Sequence, residues 1–150
     1  MSVDVSTTRA EAETNGHAPS KGQALSAISR RVVGLLKEYS GKGPVKARAY
    51  YWNDLLVVMM TDGYTTVENT LLEQGRGKIV MDQRAEFHEV MIPHFKLVIE
   101  QELGREVVAC MNSSHYAPAL NAELFVLAPR DAADGPSEGQ GTFTSNGATG

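Results

Sequence analysis

Cysteine is nearly missing: Cys110 is the single one among 150 residues, which excludes an internal disulfide and suits a reducing compartment. Long apolar runs are missing too. The longest unbroken one, Leu55 to Met60, falls far short of the roughly 20 residues that a membrane-spanning helix requires. The N-terminal residues lack the apolar centre of a secretory leader, and neither an amphipathic anchor nor a lipidation signal is evident. A cytoplasmic protein without direct membrane insertion is therefore expected.

Recognisable catalytic chemistry is also lacking. No Gly-x-Ser-x-Gly elbow accompanies Ser113, Ser114 and His115, and a serine nucleophile needs both a positioned base and an orienting acid. The histidines do not form a ligand set. His88 and His94 are six apart, which points them to different faces of a helix, and His17 lies near the N-terminus. His94, beside Pro93, reads as a partly buried structural histidine. The expectation is a protein that is not an enzyme, with no cofactor and no metal.

Apolar and charged residues make up 42% and 21% of the chain, the composition of an ordinary globular domain. The ends depart from it. Residues 1–21 hold almost no large apolar side chain, and 130–150 are rich in Gly, Ser, Thr and acidic residues, so both are expected to be disordered tails. A single domain is expected over 22–129. Net charge is −4, yet Gly22 to Trp52 carries Arg30, Arg31, Lys37, Lys42, Lys46 and Arg48 against Glu38 alone. Such a segment suits an anionic partner, a membrane surface or an acidic protein; equally, neighbouring carboxylates could neutralise it as a solvated face. Tyr50, Tyr51 and Trp52 beside Lys46 and Arg48 resemble a stacking platform for single-stranded nucleic acid. Aromatics near a hairpin turn more commonly pack in the core or across strands, and the acidic overall charge speaks against a nucleic-acid partner.

Leu25, Ile28, Val32, Leu35, Leu36 and Tyr39 recur at helical steps, so a helix is expected over about 23–40, closed by Gly41 and prevented from resuming by Pro44. Val45 to Tyr51 and Leu55 to Thr61 read as strands joined at Trp52-Asn53-Asp54, with the second, almost wholly apolar, at the sheet centre. Thr65 and Glu68 have capping-box spacing, opening a short helix to about Gln74. A long helix follows over about 77–103, with Ile79, Val80, Phe87, Val90, Met91, Phe95, Val98, Ile99 and Leu103 as its apolar stripe. Pro93 predicts a kink near Glu89 or a break. Glu86, Glu89, Glu100 and Glu102, interleaved with Arg84 and Lys96, read as its solvated polar face. Glu106 to Asn112 and Asn121 to Leu127 read as two more strands around a loop at Ser113 to Pro118, with Cys110 a core residue. The fold class is α+β: a four-stranded antiparallel sheet from two helix-hairpin units, with helices on one face. Val57 and Met59 alternate with Val58 and Met60, so both sheet faces are apolar there, and a homo-oligomer is expected.

The helix leading into Tyr39-Ser40-Gly41-Lys42-Gly43-Pro44 and the strand Leu55-Leu56-Val57-Val58-Met59-Met60 are followed by Thr61-Asp62-Gly63 with Thr65 and Glu68. With the closing Ala122-Glu123-Leu124-Phe125-Val126-Leu127, they carry a resemblance to the MpsC-like family across essentially the whole domain. That family takes its name from component C of a bacterial sodium-translocating, membrane-potential-generating system. The resemblance implies association with cation or inorganic-carbon transport in the membrane, and it brings no catalytic residues. The loop Asn112 to Pro118 is less acidic here than the family pattern.

Gly41, Lys42, Gly43, Lys46 and Arg48 form the candidate site, where glycine amides and clustered cations could hold an anion or dock a partner. A phosphate loop is excluded, because this segment leaves a helix and enters a strand; the plainer reading of Gly41 is a helix cap. Two functions follow. One is a non-enzymatic accessory or regulatory protein that docks on membrane transporter subunits; the other is a cytosolic small-ligand or anion-binding module.

Overall fold

The computed structural model describes residues 20–130; nearly all of both expected tails, His17 included, lies outside the described residues. Ser20 accepts the amide of Gln23 while the Gln23 side chain accepts the Ser20 amide, a capping box that opens α1 at Lys21–Ser40. Gly41 closes the helix at φ +79, its N–H donating to the Lys37 carbonyl, a left-handed conformation that costs glycine little. The chain then forms β1 at Lys46–Trp52, β2 at Leu55–Thr61, α2 at Thr66–Glu73, α3 at Gly77–Leu103, β3 at Val107–His115 and β4 at Leu120–Leu127. The expected Thr65–Glu68 capping box is present at the start of α2.

The four strands lie antiparallel in the order β1-β2-β4-β3, with the helices on one face. The apolar β2 is interior, as its composition required. Ile28 and Val32 of α1, Met91, Phe95 and Ile99 of α3, and Leu56, Val58, Met60, Phe125 and Leu127 of the sheet form the buried core. Phe95 and Phe125 meet edge to face with centroids 6.2 Å apart; burying side chains of this size contributes about 1.5–3 kcal/mol each. Cys110 is half-buried against this core, and burial pushes its thiol pKa up.

Several expectations require correction. Ile79 and Val90 are exposed at 52% and 64% because α3 turns His88, not an aliphatic residue, toward the sheet. Of the kink or break expected at Pro93, the break does not occur, and the helix runs unbroken over Gly77–Leu103; Glu89, whose carbonyl loses a donor, and Pro93 are both exposed, where solvent can serve that carbonyl. The expected loop at Ser113 to Pro118 shrinks, because β3 pairs with β4 as far as His115↔Leu120, and ladder pairing overrides the weak strand preference of consecutive serines.

Among the described residues, no helix lies on the other sheet face. Trp52 pairs with Leu55 and that with Val126; Tyr50 pairs with Val57, that with Leu124, and that with Met111. Tyr50 and Trp52 thus stand outward, exposed at 51% and 67%, so of the two expected placements, core or cross-strand, they take the cross-strand one, opposite Val57 and Leu55. Tyr51 alone turns inward. Its hydroxyl accepts from Arg105 at 2.7 Å and Arg130 at 3.0 Å, and Arg105 also donates to the carbonyls of Asn53 and Ala128. One guanidinium thereby ties the first hairpin turn to the end of β4.

Candidate functional site

Away from that open face, a cavity of about 270 Å³ lies among the end of α1, the Lys42 to Pro44 link, the start of α2, α3 and the β3–β4 hairpin. Leu36, Met60, Phe87, Met91 and Phe95 supply its apolar wall, while Lys42, Arg84, His88, Asn112, Ser114 and Glu123 supply polar groups. Polar groups converging on an apolar concavity are the usual make-up of a small-molecule site.

The walls are pinned by Tyr64, only 2% exposed. Its carbonyl accepts from Lys42 Nζ at 2.8 Å and its hydroxyl donates to the His115 carbonyl at 3.2 Å. The Arg84 guanidinium lies over its ring at 4.0 Å, a favourable stack. Arg84 also donates to both oxygens of Glu68 at 3.0 Å and to the Gly63 carbonyl at 2.9 Å. Glu68 is thus both the capping residue of α2 and the counter-ion of α3. The side chains of Arg84 and Glu68 are 17% and 9% exposed, so Arg84 is no part of a solvated polar face; neither is Glu100, which accepts the Val107 amide at 3.1 Å.

At the base, His88 Nδ1 lies 2.9 Å from Glu123 Oε2, with the two side chains 6% and 4% exposed. The approach is off the line of a straight hydrogen bond, and the other ring nitrogen, Nε2, has no partner among the described residues. Contact with Glu123 holds a proton on the ring and outweighs burial, which favours the neutral form; the Glu123 and Glu89 charges add to it, and the His88 pKa is raised above 6.5. Since the folded value exceeds the unfolded one, the pair contributes stability that is complete below about pH 6.5 and is lost as pH rises through the folded pKa. Melting temperature is therefore expected to fall as pH rises above about 6.5, and His88→Gln should flatten that decline; a wild-type curve that rises there would contradict the pairing.

The sequence-level candidate splits. Lys42 borders the cavity, but alternation along β1 places Lys46 and Arg48 with Tyr50 and Trp52 on the exposed positions of the strand. Gly41 is the helix cap, and at Gly43 an added Cβ would stand 3.3 Å from Lys37 Cβ, so close packing on α1 accounts for that glycine. His94 is half-buried, its ring 4.8 Å from that of Tyr39. Ser114 and His115 do not pair: Ser114 donates to Asn121 Oδ1 at 2.6 Å, whereas His115 Nδ1 is 2.8 Å from the Pro118 carbonyl. Sequence reasoning passed over His88, Arg84 and Glu123. The one local signal was Glu123, the only acid of a largely apolar strand, whose following neighbours by alternation are Phe125 and Leu127.

Among the described residues, no group of three or more His, Cys, Asp or Glu is placed to hold a metal ion, and no helix is long and apolar enough to cross a membrane. No curated protein and no solved structure gives a match. The family model described as the Na+-translocating membrane potential-generating system (MpsC) matches residues 20–128. That span takes in every helix and strand from α1 to β4, and the chain belongs to the MpsC family.

Proposed function

We propose that this protein is a non-catalytic accessory component of a cation-transporting, membrane-potential-generating system, cytoplasmic, and brought to the membrane by a partner subunit that it grips with the open face of its sheet. The carrying observation is that face. Trp52, Tyr50 and Met111 are exposed at 67%, 51% and 50%, around Leu55, Val57, Leu124 and Val126, with the exposed Lys46 and Arg48 on the β1 edge. An aromatic and apolar centre with a charged rim is the make-up of a protein interface. The basic rim selects a partner surface whose apolar patch is bordered by carboxylates.

Capture of the tagged full-length protein from gently solubilised membranes, with and without Lys46→Glu/Arg48→Glu, tests this. Both residues are exposed on an edge strand, so the reversal should spare the fold. Recovery of a transporter subunit by the wild type and its loss in the variant is expected. Recovery of the protein alone, or equal recovery by both, would count against the docking face; in the first case light scattering tests whether a second copy covers it, the homo-oligomer that the apolar face also suits. Lys42 is unsuited to this control, because its ammonium already holds the Tyr64 carbonyl. A second reading, a small-ligand-binding module, is favoured by the cavity and by the unpartnered His88 Nε2.

A further inference from the structure

We propose that the cavity between α3 and the sheet binds a compact monocarboxylate, one carboxylate on an apolar or aromatic body. The ligand's size, charge and shape follow from the lining. A volume of about 270 Å³ accommodates roughly nine heavy atoms at the ≈30 Å³ that a water occupies in the liquid. Leu36, Met60, Phe87, Met91 and Phe95 give the body an apolar wall, which a small fully hydrated anion would leave facing polar atoms at a cost.

Charge sets the head group. Five ionisable side chains that carry full charges line the cavity: Lys42, Arg84, His88, Glu68 and Glu123. Arg84 is committed to Glu68 and His88 to Glu123, so both carboxylates already have cations and a cationic ligand would find no free acid. Lys42 has a carbonyl as its hydrogen-bond partner and no carboxylate among the described residues. An ammonium has three donors, and one negative charge completes the set.

His88 fixes the depth. A buried imidazole nitrogen without a partner is costly, and when the ring keeps the proton that Glu123 favours, Nε2–H is a donor that needs an acceptor. Nε2 is buried and without a partner among the described residues, while Lys42 is exposed. A carboxylate has two acceptor oxygens, one for the Lys42 ammonium and one for Nε2–H once the His88 ring turns, since Nε2 is closed off from the cavity as the ring stands; an alcohol or amide of the same body would leave the Lys42 charge unmatched.

The test uses the full-length protein with benzoate and hexanoate as probes, benzyl alcohol as the uncharged counterpart, and phosphate and bicarbonate as anions without an apolar body. Ligands that bind only the native state raise the melting temperature. Benzoate or hexanoate should do so saturably at up to about 10 mM, and should move the His88 Nε2 resonance in nitrogen-15 NMR. Lys42→Met should weaken the binding about tenfold, one charge-assisted contact. No saturable shift with either carboxylate, equal affinity for benzyl alcohol, phosphate or bicarbonate, or an unchanged affinity in Lys42→Met would overturn the proposal. The site does not depend on the docking face: capture of a transporter subunit can fail while benzoate binds, and the converse also holds.

Discussion

His88→Ala is expected to cost about 3–5 kcal/mol of folding stability at pH 7, the penalty for stripping a buried charge of its partner. Glu123 is 3% exposed, and its closest remaining help is the Asn121 side-chain amide at 3.3 Å. A carboxylate left there must either stay charged without a counter-ion or take up a proton, and the truncation also enlarges the cavity beside it. Glu123→Ala should cost less, about 1–3 kcal/mol, because the imidazole can shed its proton and remain as a neutral buried group with an unmade hydrogen bond. The pair of leucines, His88→Leu/Glu123→Leu, should come out near wild type or above it, since a buried ion pair gains little over well-packed apolar side chains. Urea denaturation of the four proteins reads this directly. A double-leucine variant as unstable as the two alanine losses added together would show that the two side chains are not coupled.

Arg84→Ala is expected to cost about 2–3 kcal/mol, somewhat below the loss for a fully buried pair because the guanidinium keeps some solvent access. Arg84 connects three pieces of chain at once: the Glu68 carboxylate in α2, the Gly63 carbonyl before it, and the face of Tyr64. Arg84→Lys should recover well under half of the loss. A lysine keeps the charge but cannot make the forked contact to Glu68 and the stack on Tyr64 together. Denaturant midpoints at pH 7 separate the two substitutions, and a lysine variant as stable as wild type would show that charge alone holds this corner. Since Lys42 is fastened to the Tyr64 carbonyl, the alanine variant should also loosen the cavity mouth, which hydrogen exchange at the Lys42 to Thr65 amides would report.

What was legible in the chain was local. Gly41 and Pro44 mark a helix end through backbone preference, Thr65 and Glu68 form their capping box within one turn, and the apolar run of β2 states its interior place without reference to any partner. The family resemblance rested on the same short segments. The cavity was not legible, because it depends on pairs far apart in the chain. Periodicity treats histidine as a polar residue, so His88 could not be seen to face the sheet until Glu123 was opposite it; Arg84 likewise counted as surface until α2 brought Glu68 alongside. Lys42, Lys46 and Arg48 looked like one basic cluster in order of sequence, yet the turn after α1 and the two-residue alternation of β1 separate the first from the others. Ser113 and Ser114 suggested a loop, and only the ladder with β4 explains their strand geometry.

The central claim is that the open sheet face docks the protein on a membrane transport complex. Site-specific photo-crosslinking in intact cells tests it most directly, with a photoreactive residue at Tyr50 or Met111 on that face, and at Glu86 or Val90 on the exposed side of α3 as the comparison. The account predicts crosslinks to a membrane transporter subunit from Tyr50 and Met111, lost with Lys46→Glu/Arg48→Glu, and none from Glu86 or Val90. Crosslinks to such a subunit from the α3 positions alone, or from no position, would contradict it.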